Sequence, residues 1–323
     1  MKTPKSIEVV RTSVKGLSSM SNQSAVAIVA SLSGIYSKVT LTIINTAEDL
    51  KSLIERKPDL VFLGVMSLID NDKKIWVSEQ LEAAGIPHTG STRNSHELEI
   101  NKDKAKQQVI DSGLTTAPFR IVSLGEVYSE QSRDLKFPLF VKPLNCGGGK
   151  GIDEFSIVRT AEELDLKIAS LQADLNVDVL VENYLEGREF SVAIIRQQDS
   201  DKLIAMPIEL IAPKDSNGER MLSNNVKFED TDKAYEVNDT KEYNILAKFG
   251  MDVFRALGAR DYGRIDIRLD KNGVPNFLEA NLMPSLINNY GSFPRAYKLN
   301  RGVKHIEMIN NIALLGLSRA KTI

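Results

Sequence analysis

Two carboxylates, a carboxamide and a guanidinium fall within eighteen residues near the C-terminal end of the chain. They are Arg264, Asp266, Glu279 and Asn281. Apolar Ile265, Ile267 and Leu269 alternate with Asp266, Arg268 and Asp270, the period of a half-buried strand. Asp270-Lys-Asn-Gly273 is a turn in which Gly273 takes positive φ freely, and Pro275–Ala280 returns as a second strand. Side chains two apart on a strand share a face, so Glu279 and Asn281 project together, and a hairpin brings Asp266 beside them. Such a trio, with Arg264 at its rim, suits a hard divalent cation. Mg²⁺ keeps water or phosphate oxygens as its remaining ligands, which points to a metal–nucleotide site. A surface hairpin with solvated charges has the same spacing, and spacing alone does not separate the two.

A second stretch, Phe137–Val158, places Gly147, Gly148, Gly149, Lys150 and Gly151 between two strand-like segments. Glycines let backbone amides approach phosphate oxygens, and a loop lysine adds charge. No Gly-Lys-Ser/Thr opens a helix here, so this is not a Walker A loop, and a Gly-rich hairpin tip has the same composition. A polar helix over Asn101–Ser112 carries Lys102, Lys104 and Lys106, most of which read as a solvated face. Ala212–Asp239 is a long polar segment without periodicity, read as a functional lid.

The elements that hold these stretches begin as α/β. Strands are predicted at Ser6–Val10, Val39–Ile44 and Leu60–Leu63, with helices at Ser24–Leu32, Glu48–Arg56 and around Ile75–Ala84. That alternation implies a parallel sheet whose ligands collect at the C-terminal strand ends, in the loops after Val10 and Leu63. Strands follow near Arg120–Val122, Val177–Val181, Phe190–Arg196 and Leu203–Pro207. Helices are expected at Ala161–Ala173 and Asp239–Leu257, and an amphipathic helix closes the chain at Val303–Leu317.

The totals bound the alternatives. The chain has 323 residues, 42% hydrophobic and 26% charged, with net charge −2. This is ordinary globular composition for two or three domains, with no electrostatic case for nucleic acid or an anionic membrane. No apolar run reaches the roughly 20 residues of a membrane span. The first residues enter an alternating strand rather than a signal-peptide core, and the expectation is a cytoplasmic protein. A single cysteine, Cys146, excludes an internal disulfide framework and reads as a small loop residue.

Lys142-Pro with the glycine loop, Glu182-Asn-Tyr-Leu-Glu-Gly-Arg-Glu189-Phe, Arg264-Ile-Asp266 and Leu278-Glu-Ala-Asn281 stand in an order that resembles the ATP-grasp ligases. The chain most resembles the D-alanine–D-alanine ligase family. Ile86-Pro-His-Thr-Gly-Ser91 and Asn101-Lys102 extend the resemblance over nearly the whole chain. It implies an N-terminal α/β domain (1–98) with a parallel sheet, followed by an α+β ATP-grasp fold in two subdomains, 99–188 and 189–323. ATP would lie between those two halves, with Lys102 and Lys142 at its phosphates and the Gly147–Gly151 loop and Lys150 over them. Glu182, Leu185 and the neighbouring Tyr184 would meet the adenine end and Glu189 the ribose. Asp266, Glu279 and Asn281 would hold Mg²⁺, as two ions, with Mn²⁺ as a substitute. Lys227 would reach the γ-phosphate from the lid, and Arg264 with backbone N–H groups near Ser285 would stabilise an oxyanion. The implied reaction joins a small carboxylate to an amine through an acyl phosphate. Members of the family often pair through the N-terminal domain, so a homodimer stays an open expectation.

The departures from the family pattern fall on amino-acid recognition. Leu17, beside Ser18 and Ser19, stands where the family has a glutamate for the first substrate's ammonium. Gly148 replaces a serine, Phe228 a tyrosine and Ser285 a glycine, and Met66-Ser-Leu-Ile-Asp70-Asn-Asp72 replaces a histidine- and glycine-rich stretch. The expectation is a ligase whose first substrate differs from free D-alanine, met by Leu17, Phe228 and Leu286, with Asp70 or Asp72 as replacement acid or merely solvated. A D-alanine–D-alanine ligase of cell-wall synthesis, a phosphotransferase that stops at the acyl phosphate, and a non-catalytic nucleotide-binding module are the competing readings.

Overall fold

The computed structural model describes residues 2–128, 134–215, 218–229 and 231–319 of the chain. Three apolar runs near the N-terminus pair in parallel. β1 (Thr3–Arg11) lies between β2 (Tyr36–Ile43) and β3 (Leu60–Leu63), with Val9 opposite Leu41 on one side and Phe62 on the other. Parallel neighbours need crossovers, supplied by α1 (Asn22–Ser33) and α2 (Ala47–Glu55). Ser21 Oγ caps α1 at Ser24 N, and Thr46 and Asp49 close a capping box on α2. Ile7 and Val9 cluster with Ala25, Ile28 and Leu32 of α1, whereas Val10, Val61 and Leu63 cluster with Leu50 and Leu53 of α2. Both faces of this sheet are therefore covered.

The expected helix around Ile75–Ala84 is corrected at its start. β4 (Ser67–Asp70) and β5 (Lys73–Trp76) form a hairpin, and α3 (Val77–Ala83) begins only after Trp76. Asn71 and Asp72 make the two-residue turn at φ 48° and 60°, a conformation these side chains tolerate better than most. α4 (Arg93–Ile100), which the sequence reading did not anticipate, leads through Asn101 into α5 (Lys102–Asp111).

The central residues build an antiparallel sheet from β6 (Phe119–Val122), β7 (Leu139–Pro143), β8 (Ile157–Val158) and β9 (Val179–Asn183), in the order β6-β9-β7-β8. α6 (Ala161–Leu175) covers it through Leu164, Ile168 and Leu171, and ends at Asn176 in the left-handed region. The C-terminal sheet runs β12-β11-β10-β13-β14, from β10 (Glu189–Arg196), β11 (Leu203–Ile211), β12 (Lys233–Glu236), β13 (Tyr262–Leu269) and β14 (Pro275–Asn281). β10 divides by parity. Phe190, Val192 and Ile194 pack with Leu246, Phe249 and Val253 of α8 (Thr240–Ala256), while Ala193 and Ile195 join α9 (Ser292–Arg301) and α10 (His305–Arg319). That second cluster also contains Ile7 and Val9, so α10 finishes the core of the first sheet.

Ala212–Asp239 is not an uninterrupted loop. It contains α7 (Asn224–Glu229) and the edge strand β12, whose Glu236 pairs with Ile208, and residues 216, 217 and 230 lie outside the described part. Among the described residues no helix is long and apolar enough to cross a membrane.

Candidate active site

β13 and β14 set Arg264 opposite Asn281 and Asp266 opposite Glu279, which puts the four polar groups on one face. The register shifts between Asp266 and Ile267. Leu278 is the extra residue of this bulge, and it lines the same pocket as Asp266 and Glu279. Asp266 is buried; it accepts from Ser191 Oγ at 2.7 Å and from Arg264 Nη1 at 3.2 Å. Arg264 also donates to Ser292 Oγ at 3.2 Å, in the first turn of α9. Asn281 Oδ1 and Ser285 Oγ are buried without a hydrogen-bond partner. Leaving a buried acceptor unmet costs about 1–3 kcal/mol, so Asn281 Oδ1 is suited to a ligand from outside the chain. Among the described residues no three His, Cys, Asp or Glu side chains gather as a metal cage. Two carboxylates and one amide oxygen fit Mg²⁺, which takes its other ligands from water and phosphate.

The pocket extends from this hairpin to Phe140, Lys142, Ile152, Glu182, Leu185 and Glu189. Lys142 Nζ lies 2.7 Å from Glu182 Oε1, and Lys106 Nζ lies 2.7 Å from Glu182 Oε2. Burial alone would raise the Glu182 pKa; the two ammonium groups outweigh it and hold the carboxyl at about 2. Burial likewise works against the charge on Lys142, but Glu182 and Glu279 prevail and its pKa rises.

Lys106 corrects the reading of the helix as solvated: its side chain is fully enclosed. Lys102, Ala105, Lys106 and Val109 are the buried residues of α5, spaced i, i+3, i+4, i+7, so the lysines occupy the inward stripe. Lys104, off that stripe, is exposed and meets Glu97 at 3.5 Å. Lys102 Nζ donates to the carbonyls of Leu144 (3.1 Å) and Cys146 at the foot of the glycine loop, and burial lowers its pKa.

The loop itself lies between β7 and β8. Gly148, Gly149 and Gly151 sit at φ 68°, 79° and 77°, and a Cβ on Gly151 would meet Pro143 Cγ at 2.7 Å. The Lys150 side chain is exposed, as is Gly147. Tyr184 Oη donates to Glu219 Oε2 (3.1 Å) and accepts from Arg268 Nη2 (2.9 Å), and burial pushes the phenol up to about 12. Arg268 also meets Glu189 at 3.2 Å. Sequence reasoning missed it, although it shares the strand face of Arg264 and Asp266.

The loops after β1 and β3 meet as the parallel sheet predicts: Met20 N donates to Gly64 O at 2.7 Å and Met66 N to Ser18 O at 3.2 Å. Leu17 is half-buried there. Residues 12–21 and 64–66 contain no Asp or Glu, while Lys15 and the adjoining Arg11 are cationic. Asp70 accepts from Ala47 N at 2.7 Å at the start of α2, and Asp72 is exposed in the hairpin turn. Leu286, expected to meet the first substrate, is instead a core residue packed with Tyr262 and Phe293, and its backbone carbonyl lies 2.7 Å from His305 Nε2. Lys227 and Phe228 lie in α7, and their side chains are outside the described part.

A family model described as D-ala D-ala ligase C-terminus matches residues 109–313. An uncharacterized protein, y4sG, of Sinorhizobium fredii is 32% identical over 243 residues, 73% of this chain and 68% of that protein. A D-alanine–D-alanine ligase of Aquifex aeolicus is 30% identical over 236 residues, 72% of this chain and 75% of that protein. The fold matches the D-alanine–D-alanine ligase of Bacillus anthracis solved with ATP, with TM-score 0.75 at 21% identity over 99% of both chains. It also matches the VanG D-Ala:D-Ser ligase of Enterococcus faecalis, with TM-score 0.68 at 20% identity over 98% of this chain and 99% of that one.

Proposed function

The chain belongs to the D-alanine–D-alanine ligase family of ATP-grasp enzymes, and from that premise we propose that it ligates a small carboxylate other than free D-alanine to an amine. The observation that carries the ligase chemistry is the paired hairpin, with Arg264, Asp266, Glu279 and Asn281 on one face and Lys142 across the same pocket. A carboxylate oxygen attacks the γ-phosphorus of ATP, the bond to the β–γ bridging oxygen breaks, and ADP leaves. The amine nitrogen then attacks the acyl carbon, expels phosphate and loses a proton. Such steps need charge compensation and positioning rather than a protein nucleophile.

Lys102 and Lys142 supply positive charge beside the phosphates, and the Gly147–Gly151 loop with Lys150 covers them. Glu182, Tyr184 and Leu185 bind the adenine end, and Glu189 the ribose. Asp266, Glu279 and Asn281 would hold Mg²⁺, which when bound neutralises phosphate charge. Arg264, fixed between Asp266 and Ser292, faces the developing oxyanion with the backbone at Ser285. The γ-phosphate role of Lys227 is carried over from the family pattern. The same reading divides the chain at about residues 98 and 188, places it in the cytoplasm, and leaves a homodimer to be measured.

The first-substrate part rests on the loops after β1 and β3. Without a carboxylate, an ammonium loses a charge-assisted hydrogen bond worth about 1.5–3 kcal/mol, roughly ten- to hundredfold in affinity. Leu17 with Arg11 and Lys15 nearby favours a bulkier, hydroxy, keto or additionally anionic carboxylate instead. The test is ADP release with Mg²⁺–ATP against paired D- and L-amino acids and their hydroxy- and keto-acid analogues. Release that requires a carboxylate other than D-alanine together with an amine is expected. Efficient turnover of D-alanine alone at millimolar concentration overturns the substrate assignment and leaves the ligase; ATP binding with no release across the panel favours a non-catalytic nucleotide binder.

A further inference from the structure

α5 turns an ammonium group into a place where no solvent reaches it. Lys106 Nζ is 2.7 Å from Glu182 Oε2 and donates to Thr116 Oγ1 at 2.7 Å, while Thr116 Oγ1 donates onward to the Phe277 carbonyl at 2.7 Å. A hydroxyl has one proton to give, so with that proton committed to Phe277 its oxygen accepts from Lys106. The lysine is thereby tied to β14, the strand of Glu279 and Asn281, and its Nζ also lies 5.7 Å from the Phe119 ring centroid. A buried lysine–glutamate pair adds little net stability over an apolar pair of equal size. What it does here is hold a carboxylate in one orientation at the wall of a pocket.

We infer that Lys106 is a positioning residue for base selection: it fixes Glu182 as an acceptor, so a bound nucleotide must present a hydrogen-bond donor there. Adenine does so with its 6-amino group. Hypoxanthine and guanine present a carbonyl oxygen at that edge and meet a second acceptor. The inference rests on the reading of Glu182 as a contact for adenine. Glu182 Oε1 is held by Lys142 and Oε2 by Lys106, and each oxygen keeps a further lone pair for the base. Lys142 alone does not suffice, because Glu279 and incoming phosphate also draw on its charge. Lys106 is enclosed and unavailable to phosphate, so its hold on Glu182 survives nucleotide binding. The low pKa of Glu182 accords with this, since a carboxylate that stays ionised has no proton to offer an O6 carbonyl.

The experiment is calorimetric titration of the full chain with ATP and with ITP, in Mg²⁺, which needs no knowledge of the carboxylate substrate. The unaltered protein is expected to favour ATP by about tenfold or more, the size of one hydrogen bond to a charged group. Lys106→Met should weaken ATP by about tenfold and bring the ATP/ITP ratio toward one, with Lys142 still in place. Thr116→Val keeps the lysine but frees it, and should lower the ratio in the same direction; it carries the test where Lys106→Met does not fold. Glu182→Gln separates the two layers of the argument, because an amide can turn either a donor or an acceptor to the base. A ratio that collapses in Glu182→Gln and in the Lys106 or Thr116 variant supports the inference. A ratio that collapses only in Glu182→Gln overturns the role of Lys106 and leaves Glu182 at the base. Equal weakening of ATP and ITP in Lys106→Met, with a lower melting temperature, marks a purely structural pair and also overturns it. A ratio unmoved by Glu182→Gln removes the adenine contact and the inference with it.

Discussion

Gly187→Ala probes the segment that joins the two halves of the proposed nucleotide pocket. Gly187 lies between Leu185 and Glu189, and its N–H donates to the Leu269 carbonyl at 3.0 Å. A Cβ built on Gly187 falls 2.4 Å from that same oxygen and 2.8 Å from the Leu269 carbonyl carbon. Both are backbone atoms at the end of β13, with no flexible side chain to yield. Ordinary contact of about 3.5 Å requires the two segments to part by roughly 1 Å. That movement strains Gly187 N–Leu269 O, Leu269 N–Arg188 O (3.0 Å) and Arg268 Nε–Gly187 O (3.1 Å) together. Overpacking of this kind costs about 1–3 kcal/mol, a fall of several degrees in Tm. Because Tyr184, Leu185 and Glu189 move with the segment, ATP affinity should fall roughly tenfold, the equivalent of about 1.4 kcal/mol. Gly147→Ala is the companion: its added Cβ has nothing within 4 Å, so Tm should hold and only ATP affinity should drop where loop amides approach phosphate. Thermal unfolding and ATP titration measure both. A Gly187→Ala protein with unchanged Tm and unchanged ATP affinity refutes the claim that this segment is fixed against β13.

The other sites give separate outcomes. In Gly64→Ala the new Cβ meets Val10 O at 2.6 Å and Met20 Cε at 1.9 Å; Met20 can swing aside but Val10 O cannot. The loop carrying Leu17 should therefore shift, raising KM for the carboxylate substrate while ATP titrations stay unchanged. Arg264→Met should cut kcat about 10²- to 10³-fold with ATP affinity retained, as expected for loss of an oxyanion partner; a change in ATP affinity of the same size would place Arg264 on the nucleotide instead. His88 is buried, with Arg260 Nη2 at 2.9 Å from Nε2. Burial, then the Arg260 charge, hold its pKa below 6.5 against the upward pull of Glu82. The unfolded chain therefore binds the proton first as pH falls, so this stability is full above about pH 6.5 and lost in the window just below. Denaturant midpoints at pH 7.5 and 5.5 should fall more for the unaltered protein than for His88→Gln, and parallel falls would refute the assignment.

The β13–β14 hairpin was legible because alternation, an Asp-Lys-Asn-Gly turn and the motif order agree on it. Its bulge was missed although Phe277-Leu278, two adjacent apolar residues, break the alternation there; the pairing of Asp266 with Glu279 and Ile267 with Phe277 shows Leu278 as the extra residue. β12 stayed hidden for a physical reason: an edge strand with largely exposed side chains is fixed by backbone pairing to β11 and needs no apolar pattern. The β4–β5 turn left a fuller trace, since Asn71-Asp72 between β-prone residues is a hairpin signal that the helical reading of Ile75 overrode. Lys106 shows residue type outweighing position. The stripe Lys102, Ala105, Lys106, Val109 was visible in the sequence, but a lysine on it pointed to solvent until Glu182 and Thr116 appeared as its partners.

Charge is organised differently at the two ends of the cleft. Around the proposed nucleotide pocket Lys106 and Lys142 share Glu182, Arg268 holds Glu189 and Arg264 holds Asp266, so these groups are fixed before a ligand arrives. Groups held in place do not have to be ordered at the moment of binding, which leaves more of their interaction energy for the ligand. Lys102 is held differently, its ammonium donating to the Leu144 and Cys146 carbonyls. Turning it to a phosphate would break both contacts at the foot of the glycine loop, which couples the proposed roles of the lysine and the loop. The loops after β1 and β3 differ again: the Arg11 guanidinium donates to the Met20 carbonyl (3.3 Å), and no carboxylate stands among residues 12–21 or 64–66. In the proposed reading an ammonium entering there would meet cations and backbone, whereas a carboxylate or hydroxyl would meet donors. The proposed change of substrate therefore rests on the sign of the charge at the mouth, and the ligase chemistry on the pairing of charges at the floor.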